Sequence, residues 1–259
     1  MPSRTEPSGS AVAWVEGLSP WPQEFGLDRM RSLLELLGNP ERSFEAVHVV
    51  GTNGKSTTAR MIEELLAAEG LAVGAYLSPH VTGWRERIRV LGEEADLEAA
   101  LAAVRAPAEA AGATQFEVLT AAALAAFRAS GVDVAIVEAG LGGRLDATNV
   151  LGARVVVLTN VGLEHTAYLG DTREAIAAEK LAVVTPGAVA VLGEAEWEPL
   201  ARAQGAARVV VQEGGNLALA AAAAAAFLGR PVDAAAAVGV SLPGRLEVVG
   251  DGIRDGAHT

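Results

Sequence analysis

Short apolar runs and longer stretches of helical periodicity take turns along this chain, and together they predict most of its elements. Between residues 26 and 37, Leu27, Met30, Leu33, Leu34 and Leu37 recur at helical spacing, and Gly38-Asn39-Pro40 stops the helix. An apolar run at 46–50 predicts a buried strand, a helix is expected over 55–69 with Gly70 ending it, and 72–77 predicts a second buried strand. A strand, a helix and a strand in that order begin a parallel sheet. Residues 96–111 predict an alanine-rich helix that Pro107 should kink or break, and 116–129 predict another, with Thr114 as cap and Glu117 in the capping-box position. Strands at 132–137 and 154–158 follow. After them come a helix over 173–184 capped by Asp171 or Thr172, a strand at 188–192, a helix at 195–204, a strand at 207–211 and an alanine helix after Asn216. A short strand at 246–249 lies between the turn-like segments Pro243-Gly244-Arg245 and Asp255-Gly256-Ala257-His258. The alternation predicts an α/β fold with a mostly parallel central sheet flanked by helices, and no fixed-period repeat.

Composition narrows the picture. With 259 residues, 51% hydrophobic and only 4% aromatic, the chain can bury one large core, or one domain and part of another, built from Ala, Val and Leu. The absence of cysteine excludes disulfides, thiolate metal sites and a cysteine nucleophile. A net charge of −12 argues against a nucleic-acid partner, although a local cationic pocket can still hold a nucleotide. Residues 1–10 are polar and read as a loose tail, not an export signal. The apolar run 217–228 is shorter than the roughly 20 residues a membrane span needs, so a buried helix in a cytoplasmic protein without a membrane partner is expected.

The densest candidate chemistry is VHVVGTNGKSTT at 47–58, where a buried strand gives way to a glycine-framed turn and a helix start. Unpaired N–H groups at a helix N-terminus, the charge of Lys55 and hydroxyls able to reach a magnesium ion make a phosphate cradle. The strict Walker spacing asks for glycine where Val49 stands, so the match is to a shortened variant. Other candidates follow predicted strands, where open α/β sheets place ligands. They are Ser78-Pro79-His80, the loop from Glu138 to Asn149 with Gly140, Gly142, Gly143, Arg144 and Asp146, and Thr159-Asn160 with Glu164-His165. The charged cluster Arg85, Glu86, Arg87 and Arg89 reads equally well as a wet surface, and Lys180 on its helix as a snorkelling surface lysine.

In order, Gly26-Leu27-Asp28-Arg29-Met30, Gly38-Asn39-Pro40, GTNGK, Ser78-Pro79-His80, Glu86-Arg87-Ile88, Phe116-Glu117, GLGGRLDATNV, His165, Glu179-Lys180, Pro243-Gly244-Arg245 and DGAH run across nearly the whole chain. The set resembles the folylpolyglutamate synthase and dihydrofolate synthase family of the Mur ligase superfamily. The resemblance implies an ATP-binding domain over 11–245 and, over 246–259, a linker with the first segment of a C-terminal domain. It implies that Gly51, Thr52, Asn53, Gly54, Lys55, Ser56 and Thr57 hold ATP phosphates, with Asn216, Arg245, Asp255 and His258 as further nucleotide contacts. Ser78, Glu138, His165 and a carbamylated Lys180 would bind Mg2+, and Arg87 and Phe116 would contact folate. Lys55, Glu138, His165 and Lys180 are the implied catalytic set. Departures are Ser56 where the folate branch has glycine, Thr259 after DGAH, and a short segment between Arg208 and Asn216. The C-terminal domain that closes over the site in the family is absent, so catalysis is expected of a longer chain.

The reaction so implied is ATP-dependent addition of L-glutamate to folate or dihydropteroate through an acyl phosphate, by a monomer. The rivals are a Mur-type peptidoglycan precursor ligase and an ATP-binding fragment without catalysis of its own. The reading expects Lys55, Glu138 and His165 around one shared cavity.

Overall fold

The computed structural model describes residues 10–240, Leu242 and the backbone of 247–249 and 252–254. Strands β1 (Glu45–Val50), β2 (Val73–Tyr76), β3 (Ile88–Val90), β4 (Glu93–Glu94), β5 (Val134–Glu138), β6 (Val155–Leu158), β7 (Val189–Leu192) and β8 (Arg208–Val211) form one sheet in the order β4-β3-β2-β5-β1-β6-β7-β8. From β2 to β8 every pairing is parallel, while β3 and β4 add an antiparallel edge. Two short strands, β9 (Glu247–Val249) and β10 (Gly252–Arg254), pair with each other. The helices are α1 (Ala11–Glu16), α2 (Asp28–Leu36), α3 (Lys55–Ala68), α4 (Leu97–Ala111), α5 (Gln115–Ala129), α6 (Thr166–Leu169), α7 (Arg173–Leu181), α8 (Glu198–Ala203) and α9 (Asn216–Leu228).

Side chains alternate across a strand, so β1 feeds two cores. Val47 and Val49 pack with Ile62 and Leu66 of α3 and Leu219 and Ala223 of α9, whereas Ala46 and Val50 join the core under α2, α4 and α5. With both faces covered, the parallel strands read as continuous apolar runs. The alanine face of α9, with Ala220, Ala223 and Ala224 buried, suits close packing against α3 and the sheet.

The structure departs from the pattern-based expectations in several places. β1 and β2 do belong to one parallel sheet, with β5 inserted between them and paired with both, a strand order the pattern left open. Pro107 does not break α4, since buried Val104 and Ala108 hold the helix on either side of it. Residues 85–89 are no simple wet surface. The chain makes a 3-10 turn at Trp84–Arg87 and enters β3, where Ile88 is buried and Arg87 is only 9% exposed. Helix α7 ends at Leu181, three residues short of the expected end at 184, and Glu138 is the last residue of β5 instead of the first of a loop. The stretch 195–204 begins as a 3-10 turn at Ala195–Trp197 before α8. Neither α1 nor α6 was legible from spacing, each being under two turns long. The capping box at Thr114 is present, with the Thr114 N–H donating to Glu117 Oε2 at 2.8 Å. Among the described residues no helix is long and apolar enough to cross a membrane.

One buried polar link crosses the sheet surface. His48 of β1 is fully buried, with Nε2 2.8 Å from Thr148 Oγ1 and Nδ1 without a partner. Burial lowers its pKa from 6.5 to about 4. Between those values the unfolded chain binds a proton that the folded chain refuses, so stability rises with pH across that window. The full effect is about 3 kcal/mol at most. Urea unfolding midpoints of the wild type should fall as pH drops from 6.5 towards 4, with a shallower fall in His48→Gln. Parallel profiles for the two proteins would exclude His48 as the source.

Candidate active site at the carboxyl ends of the central strands

Beyond Val50 the chain turns through Gly51 to Gly54 into α3. Gly51 has φ 145° and Gly54 φ 78°, conformations that favour glycine. Space demands glycine as well: a Cβ at Gly51 would lie 1.9 Å from Thr159 Oγ1, and one at Gly54 2.5 Å from Asn216 Oδ1. The segment after β6 pins this turn. Asn160 Oδ1 accepts from the Asn53 N–H at 3.0 Å, Thr159 Oγ1 donates to Asn53 O at 2.7 Å, and the Gly162 N–H donates to Thr52 Oγ1 at 2.9 Å. Lys55 folds back over the loop, its Nζ donating to Thr52 O at 3.1 Å. The first-turn N–H groups of α3 and the Lys55 ammonium therefore share one cradle for an anion.

Beside it, Glu138 is 1% exposed at the end of β5. Ser56 Oγ lies 2.9 and 2.7 Å from its two oxygens, and the Ser78 N–H donates to Oε2 at 3.0 Å. Ser78 Oγ is buried next to this carboxylate and has no hydrogen-bond partner. A buried hydroxyl left unsatisfied beside a buried carboxylate is a set of hard oxygen donors, which fits Mg2+ or Mn2+. Among the described residues no three His, Cys, Asp or Glu side chains group as a metal cluster. Of the expected ligands only Glu138 and His165 are of those types, so the hydroxyls carry the fit.

Lys180 is not a surface lysine. It is 1% exposed and donates to Gly51 O at 2.9 Å and to Glu164 Oε1 at 2.6 Å. Burial lowers its pKa, Glu164 opposes this, and Lys55 adds to the lowering. Burial alone would raise the pKa of Glu164, but Lys180 and then Lys55 bring it below the usual carboxylate value. The glycine-rich loop fixes α7 in this place: a Cβ at Gly143 would come within 2.6 Å of the carbonyls of Glu179 and Lys180, and the Arg144 N–H donates to Glu179 O at 2.9 Å. His165 follows Glu164 in left-handed backbone, φ 45°, and its side chain is exposed ahead of α6. Lys55, Glu138 and His165 thus come from beyond or at the ends of β1, β5 and β6, which are adjacent in the sheet.

Two cavities lie nearby, and the expectation that Lys55, Glu138 and His165 line one of them is not met: Ser56 lines one cavity, and Gly143 and Glu179, beside Lys180, line the other. One, an open cleft, is lined by Trp21, Phe25, Phe116, Tyr168 and Asp146. Trp21 and Phe25 stand 6.3 Å apart between ring centres, and Phe25 and Tyr168 5.9 Å. Burial raises the Asp146 pKa, against hydrogen bonds from the Leu141 and Thr148 N–H groups. A second cavity runs from Ser56 past Pro79 to Arg87. Phe116 and Arg87, paired in the sequence reading, line different cavities, and Tyr76 stands between them, 6.0 Å from the Phe116 ring and within hydrogen-bonding reach of Arg87. Sequence reasoning missed Trp21, Phe25 and Tyr168, although their scarcity in a 4% aromatic chain was a usable signal. Asn216 meets the cradle at Gly54, whereas Arg245, Asp255 and His258 lie outside the described residues.

The family model for the Mur ligase middle domain matches residues 49–201. A dihydrofolate synthase/folylpolyglutamate synthase of Haemophilus influenzae is 40% identical over 192 residues, which cover 73% of this chain and 44% of that protein. The chain therefore spans less than half the length of that relative. Among solved structures, Escherichia coli FolC in complex with DHPP and ADP superposes with a TM-score of 0.84 at 32% identity, covering 96% of this chain and 71% of the other. A bifunctional folylpolyglutamate synthase/dihydrofolate synthase with Mn, AMPPNP and L-glutamate bound gives 0.83 at 33%, with coverages of 96% and 71%. On this match of sequence and architecture, the chain belongs to the Mur ligase middle-domain family, in its folylpolyglutamate synthase and dihydrofolate synthase branch.

Proposed function

We propose that this chain carries the ATP-binding part of a cytoplasmic, monomeric ligase that joins L-glutamate to the carboxylate of folate or dihydropteroate. The observation that supports it most is the α3 N-terminus, where Lys55 folds over the glycine turn and Ser56 joins Ser78 on the buried Glu138, with Ser56 also lining the cavity that holds Arg87. A free carboxylate acylates poorly because oxide is a poor leaving group. In the proposed reaction its oxygen attacks the γ-phosphorus of ATP, and ADP departs to leave an acyl phosphate. The amine of L-glutamate then attacks the acyl carbon, inorganic phosphate leaves, and the amine gives up a proton.

The chain's own share is alignment and charge neutralisation. Lys55 and the α3 N–H groups face charge that builds on the phosphates, and Thr159 and Asn160 keep their loop from moving. Flat aromatic walls suit a heteroaromatic ring, and Asp146 can accept from its N–H edge. Mg2+ held by Ser78, Glu138, His165 and a carbamylated Lys180 would supply further neutralisation of phosphate charge. Lys180 suits carbamylation in being buried with a lowered pKa, which favours the neutral amine that reacts with CO2.

Lys55→Ala should lower glutamate-dependent ADP release by the longest natural polypeptide carrying this chain by roughly 10²–10³-fold, with an unchanged circular dichroism spectrum. Turnover near wild type would exclude the phosphate cradle. Chelation by EDTA should abolish the same activity, and Mg2+ or Mn2+ should restore it; activity that survives exhaustive chelation would remove the metal from the reading. Isotopically labelled bicarbonate should give a carbamate resonance by NMR that disappears in Lys180→Arg, and the same resonance in both proteins would place the carbamate elsewhere. Thermal shifts with dihydropteroate and with a UDP-sugar, run side by side, should favour the pterin; stabilisation by the sugar alone would point to a peptidoglycan ligase.

A further inference from the structure

Arg87 is almost buried, yet among the described residues no carboxylate pairs with it. Its holders are neutral. Nε donates to His80 Nδ1 at 2.8 Å, the guanidinium carbon lies 4.9 Å from the centre of the Trp84 ring, and the Tyr76 hydroxyl is within hydrogen-bonding reach. The rings of His80 and Trp84 meet at 4.4 Å and 49°, and Trp84 Nε1 donates to Glu16 Oε1 of α1 at 3.0 Å, which anchors the indole from outside. The nearest acid in sequence, Glu86, is occupied by the N–H groups of Val81 and Thr82. Arg60 and Arg89 on the same cavity are matched by two carboxylates, Glu63, which both contact, and Glu64, which pairs with Arg60.

A buried cation without an anion is costly, and folded chains rarely keep one without use. A carboxylate holder would fix the guanidinium but quench its charge. An imidazole acceptor and an indole face fix it and leave the charge whole. The cavity that Arg87 faces also holds Ser56, the hydroxyl on Glu138, so an anion drawn to Arg87 is drawn towards the candidate centre.

We propose that Trp84 and His80 are positioning residues that clamp Arg87 and present its unquenched guanidinium to the carboxylate of the acceptor substrate. The proposal rests on the ligase reading for the identity of that carboxylate. Its test uses W84A, W84F, H80A, H80N and R87A in the longest natural polypeptide carrying this chain, with steady-state kinetics in dihydropteroate and in ATP. Asparagine is chosen because its Oδ1 offers an acceptor near the place of Nδ1. W84A and H80A should each raise KM for dihydropteroate about tenfold while leaving KM for ATP and the melting temperature near wild type. W84F and H80N should recover most of the loss, and W84A combined with R87A should be no worse than R87A. An unchanged KM for dihydropteroate in W84A, or additive losses in the double variant, would overturn the clamp.

Absence of glutamate-dependent ADP release in the wild type would sink the ligase reading and leave the clamp to a second measurement. By NMR, the Arg87 Nε–H should exchange slowly with solvent in wild type and H80N and quickly in H80A and W84A. Equal exchange in all four would overturn the clamp whatever the enzyme does.

Discussion

The closeness of Thr159 to Gly51 is the constraint on which the site depends. With 1.9 Å between Thr159 Oγ1 and the place a Cβ would occupy, and a φ of 145°, position 51 favours glycine where β1 and β6 end side by side. That approach lets Thr159 and Asn160 bind the turn through Asn53, so the cradle is shaped by its neighbour strand as much as by its own sequence. It also leaves the Gly51 carbonyl facing Lys180, which donates to it from α7. One crowded glycine thereby joins three segments that are far apart in sequence.

Charge in the site follows from burial. Lys180 and Glu164 are held as a close pair beneath the loop, and the nearby Lys55 shifts both in the same downward direction. Removing either member of a pair so buried leaves a charge without compensation, and the ordering of the loop would suffer with it. Glu138 solves the same problem differently, by accepting from a hydroxyl and a backbone N–H. One solution is a cation paired with a carboxylate, and the other is a carboxylate among hydroxyl and N–H donors.

The cavities divide the labour again. Aromatic side chains gather at one cleft although the chain is poor in them, and arginines gather at the other. Tyr76, buried at the end of β2 with its pKa raised to about 12 by burial, lies 6.0 Å from the ring of Phe116 in the first and within hydrogen-bonding reach of Arg87 in the second. A substrate with a flat ring at one end and a carboxylate at the other would meet suitable chemistry at each.

The sequence by itself determined the alternation of strands and helices, the glycine-framed turn that leads into α3 and the glycine-rich loop after Glu138, because each of these is written in local spacing and turn residues. It pointed to Lys55, Glu138 and His165 through their place after apolar runs, since parallel strands deliver their ends to one edge. Only the tertiary structure decided that β5 separates β1 from β2, that Arg87 and Lys180 are buried, and that Phe116 and Arg87 face different cavities. A lysine on a helix or an arginine in a charged run looks the same in sequence whether it meets water or a carbonyl from a distant segment. Burial is a property of what packs against a residue, and that partner is chosen by the fold.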